Sequence, residues 1–129
     1  MNDPLEGMKR LGQMILDAEL ARLKAIQDKM NTQKGRTAAL DQQLQARSDQ
    51  VNLGHDDLAL TTGHDATWQT WLRTQRAASN AELAGIAAER EDQLLQARHS
   101  FGRAQAIEAL QKRALSERAL KISKRKAFD

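Results

Sequence analysis

The chain of 129 residues carries a net charge of +3, with 40% hydrophobic but only 3% aromatic residues, and this length bounds it to one domain. Ala, Leu, Gln, Glu, Lys and Arg dominate beside a single proline and a single valine, a helix-forming vocabulary that weighs against sheets. The absence of cysteine excludes disulfides, thiolate metal sites and thiol nucleophiles, and no stretch nears the roughly 18 apolar residues of a membrane span.

The opening "MNDPLEGMKR" lacks the basic-then-apolar order of a secretory signal, so a cytoplasmic protein is expected. A first helix is predicted over residues 5–53. From Leu23 the series Ile26, Met30, Gln33, Thr37, Leu40, Leu44, Arg47 and Val51 advances in alternating steps of 3 and 4, the heptad rhythm of a helix laid along another. Upstream, Met8, Leu11 and Ile15 keep that rhythm, and the two four-residue steps from Ile15 through Glu19 to Leu23 read as a stutter. Leu16 and Leu20 widen the apolar face there. Gln33, Thr37 and Arg47 stand where Leu or Ile would stabilise more, as residues that set register do.

A turn is predicted over residues 54–64. Gly54 suits the left-handed position after a helix end, Asp56 or Asp57 can cap a short turn through Leu58 and Leu60, and Gly63 can end it. Asp65 then serves as N-cap of a second helix, predicted over residues 65–125. Along it Leu72, Leu83, Ile86, Leu94, Ala97, Phe101, Ala104, Ile107, Leu110, Ala114, Leu115, Arg118 and Ile122 recur at helical spacing. Neither helix buries its stripe alone, and the second is already tethered to the first. The fold expected is therefore all-α, a single long antiparallel two-helix coiled-coil hairpin, a monomer rather than a parallel dimer.

The chemistry such a hairpin offers is limited. Gly54-His55-Asp56 and Gly63-His64-Asp65 combine metal-ligand residue types, but helix-stop glycines and helix-start aspartates explain most of each triplet, so no metal is expected. Serines 48, 79, 100, 116 and 123 lie on presumed helix surfaces without a pocket wall, and no Gly-rich loop leads to Lys-Ser or Lys-Thr. Neither catalysis, nor a cofactor, nor a small-molecule substrate is expected. Between residues 112 and 126, Lys112, Arg113, Arg118, Lys121, Lys124, Arg125 and Lys126 face Glu117 alone, so this stretch carries +6 and the remainder −3. No aromatic platform for bases interleaves these cations, which favours an acidic protein surface over nucleic acid, and any membrane contact is expected to be indirect.

Both tryptophans stand in "ATWQTWLRTQ". An indole exposes about 200 Å² of mostly apolar surface, more than a two-helix tip can cover twice. Trp68 shares a face with Leu72 and is expected to close against Leu58 and Leu60. Trp71, with Gln75 and Arg73 nearby, is left nearer solvent as a partner contact.

The ending "RAQAIEALQKRALSERALKISKRKAFD", with its Leu110, Arg113, Glu117, Arg118, Lys121 and late "KAFD", resembles the FliJ/YscO group, the coiled-coil stalk proteins of flagellar and injectisome type III export. The resemblance implies two long antiparallel helices whose paired termini enter the central hole of a hexameric export ATPase, coupling it to the export gate. Carried onto this chain, the ATPase end comprises Met8, Leu11, Arg118, Lys121, Ile122, Lys124 and Arg125, and the gate side Trp68, Trp71, Leu72 and Gln75. Pairing of the termini is expected to bring Leu5, Met8 and Leu11 beside Leu115, Ile122 and Lys124. The alternative is a chaperone or adaptor that binds export substrates or other helical partners.

Overall fold

A computed structural model describes residues 3–52 and 64–128. They form two helices, α1 (Pro4–Asn52) and α2 (His64–Phe128), in an all-α helical hairpin. The expected turn, with Gly54, His55, Asp56, Asp57, Leu58, Leu60 and Gly63, lies outside the described residues, as do the side chains of His64 and Asp65. The α1 start is set by Asp3-Pro4. The Leu5 amide donates to Asp3 Oδ1 at 3.0 Å and the Glu6 amide to Asp3 O at 3.0 Å, while Pro4 occupies the first helical position, where its missing N–H costs nothing. The α2 end carries Arg125 and Lys126, whose charge favours the negative pole of the helix.

The chain divides into two compact units, Met1–Lys24 with Glu91–Asp129, and Ala25–Arg90. In the second unit the heptads of α1 point inward as expected. Ile26, Met30, Thr37, Leu40, Leu44 and Arg47 are half-buried and Gln33 is buried. They meet α2 at Gln69, Leu72, Ser79, Leu83, Ile86 and Arg90, where Leu72 is completely buried. The pairing is antiparallel: Arg90 Nε donates to Gln27 Oε1 at 2.8 Å, Lys29 lies 3.7 Å from Glu89, Gln33 bonds Ser79, and Arg76 Nε sits 2.6 Å from Asp41 Oδ1.

One polar layer crosses this seam. Gln33 Nε2 donates both to Ser79 O at 3.1 Å and to Ser79 Oγ at 2.7 Å. Thr37 Oγ1 donates back to Gln33 O at 3.1 Å, so the remaining 2.8 Å contact is Ser79 Oγ donating to Thr37 Oγ1. The four groups close a circuit in which the amide and both hydroxyls are satisfied, and no buried side-chain polar atom among the described residues lacks a partner.

In the terminal unit the seam runs through Leu5, Gly12, Leu16, Glu19 and Leu23 on α1 and through Gln93, Ala97, Ser100, Ala104, Ile107, Gln111 and Ala114 on α2. This corrects the expected phase. Met8, Leu11 and Ile15 are exposed, and so are Phe101, Leu110, Leu115, Arg118 and Ile122 on α2. From Gly12 onward the 4-3 alternation runs unbroken to Arg47, so the stutter is absent. Continuity of phase decides the outcome, because every large apolar residue named here sits one position away from the stripe that the heptads upstream or downstream prescribe. Small and polar residues then complete the seam. A Cβ on Gly12 would lie 3.4 Å from Ile107 Cδ1, a close approach that glycine leaves open. Gln93 Nε2 donates to Glu19 O at 3.0 Å and to the Glu19 carboxylate, and Gln111 Nε2 donates to Glu6 Oε2 at 2.6 Å.

Candidate protein-interaction surfaces

The terminal unit ends unequally. Gln111 is bonded to Glu6, two residues after α1 begins, so the α2 residues beyond Ala114 run past the start of α1. From Leu115 to Phe128 every residue is exposed. This overhang holds Leu115, Leu120, Ile122 and Phe128, the last 90% exposed, among Arg118, Lys121, Lys124, Arg125 and Lys126. Its single acid, Glu117, is 3.4 Å from Arg113, leaving the cations of the overhang with no carboxylate of their own stretch.

The residues expected at one end are therefore divided by the register. Arg118, Lys121, Ile122, Lys124 and Arg125 all lie on the overhang. Met8 and Leu11 lie beside the level of Ile107 to Gln111, as the Gly12–Ile107 approach and the Glu6–Gln111 bond require, and not beside Leu115, Ile122 or Lys124. The source of the shift is plain: α2 has 65 residues against 49 in α1, and the excess falls at the termini.

The other expected group lies in the second unit. Leu72 is the core residue, and both tryptophans are exposed, Trp68 at 39% and Trp71 at 54%. Trp68 therefore does not share the buried position of Leu72. The seam takes Gln69 and Leu72, so each indole immediately precedes a seam residue and lands on the same flank of α2, about 60° apart. Gln75, also exposed, continues that flank one turn on. The expected partners of Trp68, Leu58 and Leu60, lie outside the described residues.

The opposite flank of this unit carries an open groove of about 460 Å³ lined by Asp41, Leu44, Gln45, Ser48, Gln69, Arg73 and Arg76. It arises because Gln69 and Arg76 take positions where leucine would fill the seam. Its carboxylate, Asp41, is held by Arg76 at 2.6 Å, and its hydroxyl, Ser48, has no histidine among the lining residues to serve as a base. Among the described residues no three His, Cys, Asp or Glu side chains come together as a metal site, and no helix is long and apolar enough to cross a membrane. His99 is exposed on α2.

Two surfaces thus stand out: a basic helical overhang with large apolar side chains, and a pair of tryptophans on one flank near the predicted turn. Sequence reasoning found the residues of both but missed that, among the described residues, no helix lies opposite the overhang. The unequal helix lengths were the available signal. No family model, curated protein or solved structure matches the chain.

Proposed function

We propose that the protein is a non-enzymatic adaptor whose α2 overhang plugs into a socket on a protein partner. The observation that carries this reading is the distribution of side chains on Leu115–Phe128. At about 100° per residue, Leu115 and Ile122 share one side, Leu120 stands about 140° from Leu115, and Phe128 about 80° beyond Leu120. Lys124 lies between Leu120 and Phe128, Lys121, Arg125 and Arg118 lie between Phe128 and Ile122, and Lys126 stands beside Leu115, while Ser116, Ala119, Ser123 and Ala127 fill the sector from Leu115 to Leu120. A helix lying on a flat surface needs its apolar residues on one face. Apolar groups in three directions, with charge in two of the three sectors between them, suit walls on several sides, apolar in places and acidic elsewhere.

Through the resemblance to the FliJ/YscO group, the socket is the central hole of a hexameric export ATPase and the tryptophan flank is the contact toward the export gate. Under this reading the protein acts by position and does no chemistry of its own. Mixing the chain with the cognate export ATPase and following hexamer assembly and turnover tests it. The full chain is expected to promote both, and a chain ending at Ala114, which keeps the paired seam, is expected to promote neither. No binding and no change with the full chain defeats the reading, and 1:1 complexes with export substrates by a chain indifferent to the ATPase turn it into a chaperone.

A further inference from the structure

Within the terminal unit α1 carries two stripes. The seam runs along one side. On the side turned away from α2, about 140° round the helix, Pro4, Gly7, Leu11, Met14, Ala18 and Ala21 follow in alternating steps of 3 and 4. None of the six is charged and all are exposed, Leu11 at 58% and Met14 at 68%. A helix that meets a single partner needs one such stripe, and a second is the pattern of a second helix–helix contact. Met8 and Ile15, at 49% and 40% exposure, border the stripe on one flank. Asp3, Arg10, Asp17 and Lys24 border it on the other, seven residues apart and alternating in sign. Asp3 caps the Leu5 amide and Asp17 accepts from Gln13 Nε2 at 2.9 Å, but among the described residues none of the four is in an ion pair.

This order of charges identifies the occupant. In the hairpin's own antiparallel seam like flanks meet, as Lys29 meets Glu89 at 3.7 Å. Laid against a second α1 in the same geometry, the outer stripe is complementary to itself in one register. Leu11 faces Met14 of the second copy, Gly7 faces Ala18 and Pro4 faces Ala21, so large side chains meet at the centre and small ones at the ends. Met8 faces Ile15 on one flank. On the other, Arg10 faces Asp17 and Asp3 faces Lys24, and the two-fold axis repeats each pair. A slip of one heptad one way sets Arg10 against Arg10 and Asp3 against Asp17. The opposite slip sets Arg10 against Lys24 and Asp17 against Asp17. From this self-complementarity we infer that the protein forms a symmetric antiparallel dimer through residues 3–24 of α1. The contact is only about six helical turns long, which suits a reversible association. In each copy α2 packs on the other side of α1, so the overhangs take no part in it.

Sedimentation equilibrium of the full chain at low salt, at concentrations up to about 100 μM, is expected to show a monomer–dimer equilibrium. Leu11→Ser with Met14→Ser, both at exposed positions and with helicity checked by circular dichroism, is expected to weaken it at least about tenfold. Phe101→Ser, at an exposed position on α2, should leave it unchanged. The sharper test is charge. Arg10→Asp and Asp17→Arg each place two like-charged pairs in the dimer, so each variant alone is expected to dimerise at least about tenfold more weakly. Mixed, the two variants restore both opposite pairs and should form a heterodimer as tight as the original dimer. Because the chain has no cysteine of its own, Leu11→Cys and Met14→Cys report the register: mixed, they should cross-link with each other in preference to themselves. A chain that stays monomeric over this range, a dimer that the Leu11 and Met14 changes leave intact or that Phe101→Ser weakens equally, charge variants that dimerise alone as well as when mixed, or cysteine variants that each link only to themselves would each overturn the inference.

Discussion

Replacing Ser79 by alanine is the most direct probe of what aligns α1 with α2. In the native circuit Ser79 Oγ accepts from Gln33 Nε2 at 2.7 Å and donates to Thr37 Oγ1 at 2.8 Å. Removing it leaves one N–H of a Gln33 that is only 4% exposed without a partner, while the other still reaches Ser79 O. An unsatisfied buried donor costs about 1–3 kcal/mol, and Thr37 keeps its own acceptor, Gln33 O, so the loss expected for Ser79→Ala is about 1–3 kcal/mol. Gln33→Leu removes the demanding amide and adds an apolar side chain to the seam, so in that background Ser79→Ala should cost nearly nothing. The coupling energy of the cycle is then about 1–3 kcal/mol. Urea unfolding followed at 222 nm on the four proteins measures it. If Ser79→Ala costs the same with Gln33 or Leu at position 33, the circuit is not a unit and the reasoning fails. The same cycle bears on register: Gln33→Leu should preserve or raise stability while loosening alignment, which disulfide trapping of cysteines placed across the seam would detect.

Other expectations follow from burial. Leu72→Ala should cost about 2–5 kcal/mol because Leu72 is fully enclosed, while Trp71→Ala at a half-exposed position should cost less than about 1 kcal/mol; comparable losses in thermal unfolding would contradict the seam phase. Gly35→Ala should stabilise by up to about 1 kcal/mol, since a Cβ there meets nothing within 4 Å, and Gly12→Ala should gain less because Ile107 Cδ1 is 3.4 Å away. Tryptophan emission should be red-shifted and accessible to iodide or acrylamide, and a blue-shifted, protected signal would show that the indoles are enclosed.

The fold class was legible because heptad steps from Leu23 to Arg47 leave one arrangement open: a helix against a helix. Phase in the terminal unit was not legible by the same rule. At Leu11-Gly12, Ile15-Leu16, Ser100-Phe101 and Leu110-Gln111 an apolar residue stands beside each true seam position, and preference for the larger side chain selects the wrong stripe in three of the four pairs. What decides is the unbroken phase imposed from Leu23 onward, together with polar rungs such as Glu19–Gln93 that a hydrophobicity count cannot see. The tryptophans illustrate the same limit. Size marked them as core candidates, yet Leu72 holds the enclosed position because it alone of the three side chains has the seam phase. The residues of the overhang were picked out by charge, and their separation from Met8 and Leu11 needed the register.

Among the described residues no helix faces α2 beyond Ala114, and this has a thermodynamic consequence. Fourteen residues held only by their own backbone bonds are near the lower limit of helix persistence in water. Amide hydrogens there should exchange far faster than those around Leu72, and the segment's end should fray and re-form many times before it meets a binding wall. Part of the free energy of capture is then consumed in rigidifying the segment, which moderates affinity without narrowing selectivity. A tether of this kind suits attachments that must be made and released repeatedly.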